Sequence, residues 1–158
     1  MKVVAIVQAR SNSVRLPGKV MRQICGIPMI GLLLKRLSHA KKIDEIVVAT
    51  SKHKSNDKLI KYIKKEKHQL FMGSEFNVLE RYYNAAVKYK ADIIVRVTGD
   101  NPLTDPKLVD RLVETFQKND KDYASTGQPP TYPLGLTAEV ISFLTLKKCY
   151  NSVTSDFD

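Results

Sequence analysis

Three groups of chemically capable residues follow stretches that read as β-strand. The first is QARSNSVRLPGKV at residues 8–20, which sets Arg10, Arg15 and Lys19 among small and turn-forming residues. Successive backbone N–H groups in such a loop can form an anion nest. Two guanidinium forks and an ammonium can neutralise several phosphate charges, including charge building on a leaving pyrophosphate. The same composition also suits a solvent loop with incidental basic residues. The loop carries neither the G-x-G-x-x-G of dinucleotide folds nor the G-x-x-x-x-G-K-[ST] of P-loops, which disfavours those reactions.

The second group is VRVTGDNPL at 95–103. Asp100 there is a candidate ligand for Mg²⁺, a hard cation that commonly shares one or two carboxylates with substrate phosphates. Gly-Asp-Asn-Pro is equally an ordinary turn in which the aspartate bonds its own backbone. Arg96 lies inside an otherwise apolar strand and needs an anionic partner, either a structural carboxylate or a bound phosphate. The third group, PPTYPLGLTAEV at 129–140, offers Glu139. His39, His53 and His68 have no metal-ligand spacing and fall in surface stretches.

The elements that must hold these loops alternate along the chain. VVAIV at 3–7 is a continuous β-branched run, the signature of a strand covered on both faces. Pro28 suits the first turn of a helix with Met29, Leu32, Leu33, Leu37 and Ala40 on one face. EIVVAT at 45–50 is a second strand. The lysine-rich segment 55–67 reads as an amphipathic helix, with Leu59, Ile60 and Ile63 inward and Lys58, Lys61, Lys64 and Lys65 solvated. A third strand at 68–72 ends at Gly73 and Ser74. Ser74 can cap a helix carrying Val78, Leu79, Tyr82, Ala85, Ala86 and Tyr89, and IIVRV at 93–97 is a fourth, central strand. Asp105 and Pro106 start a helix that buries Leu108, Val109, Leu112, Val113 and Phe116. Short strands at DYAST and AEVI and a helix at 142–150 complete the pattern. Such alternation implies an α/β fold with a mainly parallel central sheet between two helical layers, and ligands in the crevice beyond the strand C-termini.

The 158 residues fit one domain, since about 100–200 residues per domain is usual. With 43% hydrophobic and 27% charged residues, the chain has a soluble globular composition. No apolar stretch reaches the roughly 18 residues that span a bilayer, and the N-terminus lacks a signal-peptide pattern. Cys25 and Cys149 read as buried thiols in a reducing cytoplasm. A net charge of +10 points to polyanions. The lysines are spread over helices with few aromatics, which favours a charged small molecule over nucleic acid or a membrane surface.

Taken together, the loops resemble a known family. QARSNSVRLPGKV resembles the N-terminal signature QAR-x-x-S-x-RLPGK-[VP] of the sugar cytidylyltransferases, in the branch containing spore-coat polysaccharide biosynthesis proteins. CMP-KDO and CMP-sialic acid synthetases share a looser form. ATS at 49–51, GSEFNVLERY at 73–82, VRVTGDNPL at 95–103 and YPLGLTAEV at 132–140 follow in the family's order and approximate spacing.

The resemblance implies a nucleotide-diphospho-sugar transferase fold, Rossmann-like, and transfer of CMP from CTP to a sugar, sugar-acid or phosphorylated acceptor in cell-surface glycan synthesis. It implies that Gln8, Ala9 and Arg10 approach the nucleotide, with Ser11 and Ser13 in the same loop. Arg10, Arg15 and Lys19 would bind the triphosphate and Asp100 would ligate Mg²⁺. Ser74 and Arg96 would line the nucleotide pocket, and Glu139 the acceptor side. Asn77 stands where the family usually has aspartate, and Leu134 and Thr137 replace the aspartates of its P-D-G-L-D-V-E-V block. Relatives continue past the final TSDFD into a further strand, a second metal-binding aspartate and much of a dimer contact. Residues 1–158 therefore read as a single nucleotidyltransferase domain lacking the family's C-terminal portion. The alternatives are a nucleotide-binding module without catalysis and, from charge alone, a basic nucleic-acid-binding protein.

Overall fold

A β-branched run without polar interruption is satisfied only between two covered faces, and the opening strand of the chain is so placed. The computed structural model describes residues 1–13, 16–119, 121–127, 129, 132–133 and 135–153. In it β1 (Val3–Gln8) buries Val3 to Val7 completely or nearly so. A two-stranded ribbon, β2 (Gln23–Ile24) and β3 (Ile27–Pro28), leads into α1 (Met29–Leu37). Then follow β4 (Glu45–Ser51), α2 (Asp57–Lys65), β5 (Gln69–Gly73) and α3 (Val78–Lys88). The remainder is β6 (Ile93–Thr98), α4 (Pro106–Lys118), β7 (Tyr123–Ser125), β8 (Glu139–Ser142) and α5 (Phe143–Ser152).

The main sheet runs in the order β5-β4-β1-β6-β8-β7. The first four strands are parallel, while β8 runs antiparallel to both β6 and β7. This is the expected α/β architecture, and β6 is central as its apolar run predicts. Alternation along the strands divides the core into two layers. Val3, Ala5 and Val7 pack with α1, α2 and α4, whereas Val4 and Ile6 pack with α3 and α5. Among the described residues no helix is long and apolar enough to cross a membrane.

Several local expectations shift. The buried stripe of α1 is Ile30, Leu33, Leu34 and Leu37, with Met29 and Leu32 only half-buried and Ala40 beyond the helix end. Gly31 lies on this buried face against the Tyr62 hydroxyl of α2, which would have to shift to admit a side chain there. The loop expected from residue 8 to 26 ends in β2 of the ribbon, which turns through Cys25 (φ 49°) and Gly26 (φ 81°) into β3 just beyond it. Two left-handed residues suit a two-residue hairpin, though cysteine is an unusual first choice. Both cysteines are exposed, not buried, because Cys25 occupies that turn and Cys149 follows exposed Lys147 and Lys148 on α5.

α4 forms as expected: Asp105 accepts from Lys107 N and Leu108 N at 2.8 and 3.3 Å, and all five anticipated apolar residues are buried. In α3 the cap is Asn77 rather than Ser74. Asn77 Oδ1 accepts from Glu80 N at 2.8 Å, while Ser74 Oγ accepts from Asn77 N at 3.1 Å. Residue 77 is therefore a structural cap that asparagine or aspartate satisfies. Asn77→Ala is expected to lower stability by about 1 kcal/mol and Asn77→Asp to be nearly neutral, as read by chemical denaturation.

Candidate functional site

Parallel pairing of β1 with β6 sets Gln8 beside Thr98, and pairing with β4 sets Gln8 beside Ala49. The C-terminal ends of three strands thus finish together, and the 9–22 and 99–105 loops leave from the same edge. They cross closely: Gly99 N donates to Gln8 O at 2.8 Å. A Cβ on Gly99 would stand 2.8 Å from Ala9 Cβ and 2.9 Å from Gln8 O, so the crossing requires glycine.

Between the loops lies a cavity of about 410 Å³. The first loop contributes Gln8, Ala9, Arg10, Ser13, Lys19 and Val20, and β6 and its loop contribute Arg96, Thr98, Gly99 and Asp100. A short 3-10 turn at Lys19–Met21, entered through left-handed Gly18 (φ 70°), aims Lys19 across the cavity. Its Nζ lies 2.5 Å from Asp100 Oδ2. Burial alone would raise the Asp100 carboxyl, but hydrogen bonds from Lys19 and Thr98 outweigh it and hold the group below the ordinary carboxylate range. From the far side, Arg36 on α1 steadies this loop, donating to Thr104 O at 3.1 Å and Leu103 O at 3.3 Å.

Arg96 has the carboxylate partner that its place in the strand demands. It is the cross-strand neighbour of Glu139 and donates to Glu139 Oε1, and its guanidinium lies 5.7 Å from the centre of the Tyr82 ring. Burial works against the Arg96 charge, but Tyr82 and Glu139 prevail and raise its pKa above the ordinary arginine value. Burial likewise pushes the Tyr82 phenol up. Arg96 also borders a second, apolar cavity of about 290 Å³, where Val78, Leu79, Ile94, Ile141 and Leu146 face Glu139.

Seven anticipated residues therefore line one cavity: Gln8, Ala9, Arg10, Ser13, Lys19, Arg96 and Asp100. Glu139 reaches it only through Arg96. Ser11 is buried beneath the loop, and Ser74 lies at the end of β5, where its carbonyl accepts from Arg81. Arg15 and Leu134 lie outside the described residues. Thr137 Oγ1 accepts from Asn101 Nδ2 at 3.2 Å, tying the 137 region to the Asp100 loop. Sequence reasoning missed Thr98, Arg36 and a polar group formed by Ser51, Asn56 and Glu75. Asn56 sits in the lysine-rich run whose charges read as a solvated face, yet it is completely buried.

No three His, Cys, Asp or Glu side chains gather as a metal cage among the described residues. A lone cavity carboxylate suits a magnesium ion completed by phosphate oxygens and water, not one held by protein alone. Arg10, Lys19 and Arg96 give the cavity the positive character that a polyphosphate needs.

Residues 4–151 match the family described as Cytidylyltransferase. An uncharacterized protein of Methanocaldococcus jannaschii is 40% identical over 99% of this chain and 63% of its own length. The spore coat polysaccharide biosynthesis protein SpsF of Bacillus subtilis is 34% identical over 89% of this chain and 59% of its own. The chain thus spans about six-tenths of these relatives. A solved cytidylyltransferase from Leptospira borgpetersenii superposes with a TM-score of 0.93 at 34% identity, covering 99% of this chain and 66% of that one.

The crossing of the two loops is directly testable. Gly99→Ala must displace Ala9 or the Gln8 carbonyl, and is expected to cost roughly 1–3 kcal/mol of stability, the scale of overpacking, in urea denaturation. Unchanged stability would show that the loops part without cost.

Proposed function

The chain belongs to the cytidylyltransferase family, and from that premise we propose that the whole protein transfers CMP from CTP to a sugar or sugar-like acceptor, releasing pyrophosphate. The observation that carries this reading is the convergence of Arg10, Lys19, Arg96 and Asp100 on one cavity at the strand C-termini. In open α/β sheets that edge is where ligands bind.

Chemically, an acceptor oxygen attacks the α-phosphorus in line. The new P–O bond forms as the bond to the bridging oxygen breaks, and the electron pair leaves with pyrophosphate. Catalysis of this kind is mostly positioning and charge stabilisation. Lys19 and Arg10 neutralise the phosphate chain, with Lys19 exchanging Asp100 for a phosphate oxygen. Arg96, held by Glu139, presents a fixed guanidinium beside the acceptor. Magnesium held by the Asp100 carboxylate would add neutralisation of the polyphosphate charge. Gln8, Ala9 and Ser13 line the cavity and face the nucleotide, Ser11 acts beneath them by holding the loop, and Arg15 and Ser74 belong to the same proposal. The polysaccharide role is supported by the Bacillus subtilis relative, whose name places it in spore coat polysaccharide biosynthesis.

With CTP and Mg²⁺ the protein should show a thermal shift larger than with UTP, ATP or GTP, and the full-length protein should release pyrophosphate with sugar acids or sugar phosphates. Arg10→Ala should weaken CTP binding by about 1.5–3 kcal/mol, the scale of a charge-assisted hydrogen bond. Asp100→Asn should remove the magnesium dependence of the shift. No preference for CTP, or no pyrophosphate across a broad acceptor panel, would overturn the reading.

A further inference from the structure

The cavity loop is held from behind by a buried polar chain that the transfer chemistry does not use. Asn56 stands where α2 begins, a position at which asparagine usually caps its helix. Here its side chain caps no helix N–H among the described residues. It is fully buried and turned outward instead. Its Oδ1 accepts from Ser11 N at 2.8 Å, and its Nδ2 donates to Ser51 Oγ at 2.8 Å and Ser51 O at 3.3 Å. Ser51 Oγ in turn donates to Glu75 Oε2 at 2.9 Å, and the other Glu75 oxygen accepts from Asn12 Nδ2. Arg81, also fully buried, donates to the carbonyls of Ser74 and Glu75 and fixes the backbone from which Glu75 projects.

These bonds converge on two consecutive residues of the first loop. Ser11 is held at both backbone groups: Asn56 takes its N–H, and its carbonyl accepts from Gly18 N at 2.7 Å, closing the loop just before Lys19. Asn12 is held through its side chain. On either side stand cavity residues Arg10 and Ser13, and Lys19 follows the closure. A loop that must present backbone N–H groups and cations to a phosphate chain binds tightly only if its ordering is complete beforehand.

We propose that Asn56, Ser51 and Glu75 are positioning residues that preorganise the 10–19 loop for a polyphosphate, acting through Ser11 and Asn12 without touching the ligand. The proposal rests on the reading of this loop as the triphosphate site.

The test compares the full chain with its Ser51→Ala, Asn56→Ala, Glu75→Ala and Glu75→Gln variants. Binding of CTP with Mg²⁺, of inorganic tripolyphosphate and of cytidine is measured by calorimetry or NMR titration, beside each melting temperature. The alanine variants should bind CTP and tripolyphosphate about tenfold more weakly, the order expected of a small misplacement of binding groups. Their cytidine affinity should hold within about twofold. Glu75→Gln keeps an acceptor for Asn12 and a partner for Ser51, so it should recover most of the affinity. If Asn56→Ala does not fold, Ser51→Ala, which removes one hydroxyl, carries the comparison. Folded alanine variants that bind tripolyphosphate like the parent overturn the proposal, as do equal losses for cytidine or a Glu75→Gln loss as large as that of Glu75→Ala. A parent chain that binds neither CTP nor tripolyphosphate overturns the functional reading and this inference with it. Parent binding with unaffected variants overturns this inference alone.

Discussion

Everything at the cavity depends on the parallel pairing of β1 with β6. Lys19 and Asp100 are 81 positions apart in the chain and meet because that register ends Gln8 beside Thr98. The pairing also forces the two following loops to cross, which only Gly99 permits. A slip of one residue would invert the faces of the strand, sending Arg96 and Thr98 into the apolar layer under α1 and α4. The continuous burial of β1 makes that slip costly, so the core fixes the geometry of the site. The Lys19–Asp100 pair needs little strength of its own. With side chains 26% and 40% exposed, it belongs to the class of ion pairs contributing about 0–1 kcal/mol, weak enough to be exchanged for a ligand.

Arg96 and Glu139 obey a different constraint. They sit opposite each other where β6 meets antiparallel β8, with side chains 38% and 29% exposed, so the pair is set in place by strand register. Arg96 borders both the polar and the apolar cavity, with the Tyr82 ring beside its guanidinium. The two pairs are about equally open, and they differ in their anchorage: Lys19 and Asp100 belong to loops, whereas Arg96 and Glu139 belong to adjacent strands.

What the sequence revealed follows how local each signal was. The β-branched run of β1, the Asp105–Pro106 start of α4 and its five buried residues are written in neighbouring positions and appear as read. The basic first loop and Asp100 were legible because residue type and strand-end position coincide. The β2–β3 ribbon was not, since two-residue strands carry no periodicity and Cys25 is atypical at positive φ. Ser74 looked like a cap because serine often is one, yet the chain turns three residues later and Asn77 takes the role. Asn56 was hidden most completely: its neighbours Lys54, Ser55, Asp57 and Lys58 are exposed, and its purpose appears only where the first loop folds back over it.

The two described positions that read in the sequence as departures from the family pattern differ in structural role. At residue 77 asparagine caps α3 as aspartate would, because a helix N-terminus needs an acceptor there whether or not it is charged. At residue 137 the threonine hydroxyl is bonded to Asn101, the immediate neighbour of Asp100. Among the described residues lining the cavity, Asp100 is the one carboxylate facing Arg10, Lys19 and Arg96. Glu139 is already engaged by Arg96 behind the wall. A neutral residue at 137 adds no negative charge beside the Asp100 loop, so the described cavity keeps its positive balance while a hydrogen bond ties the two segments.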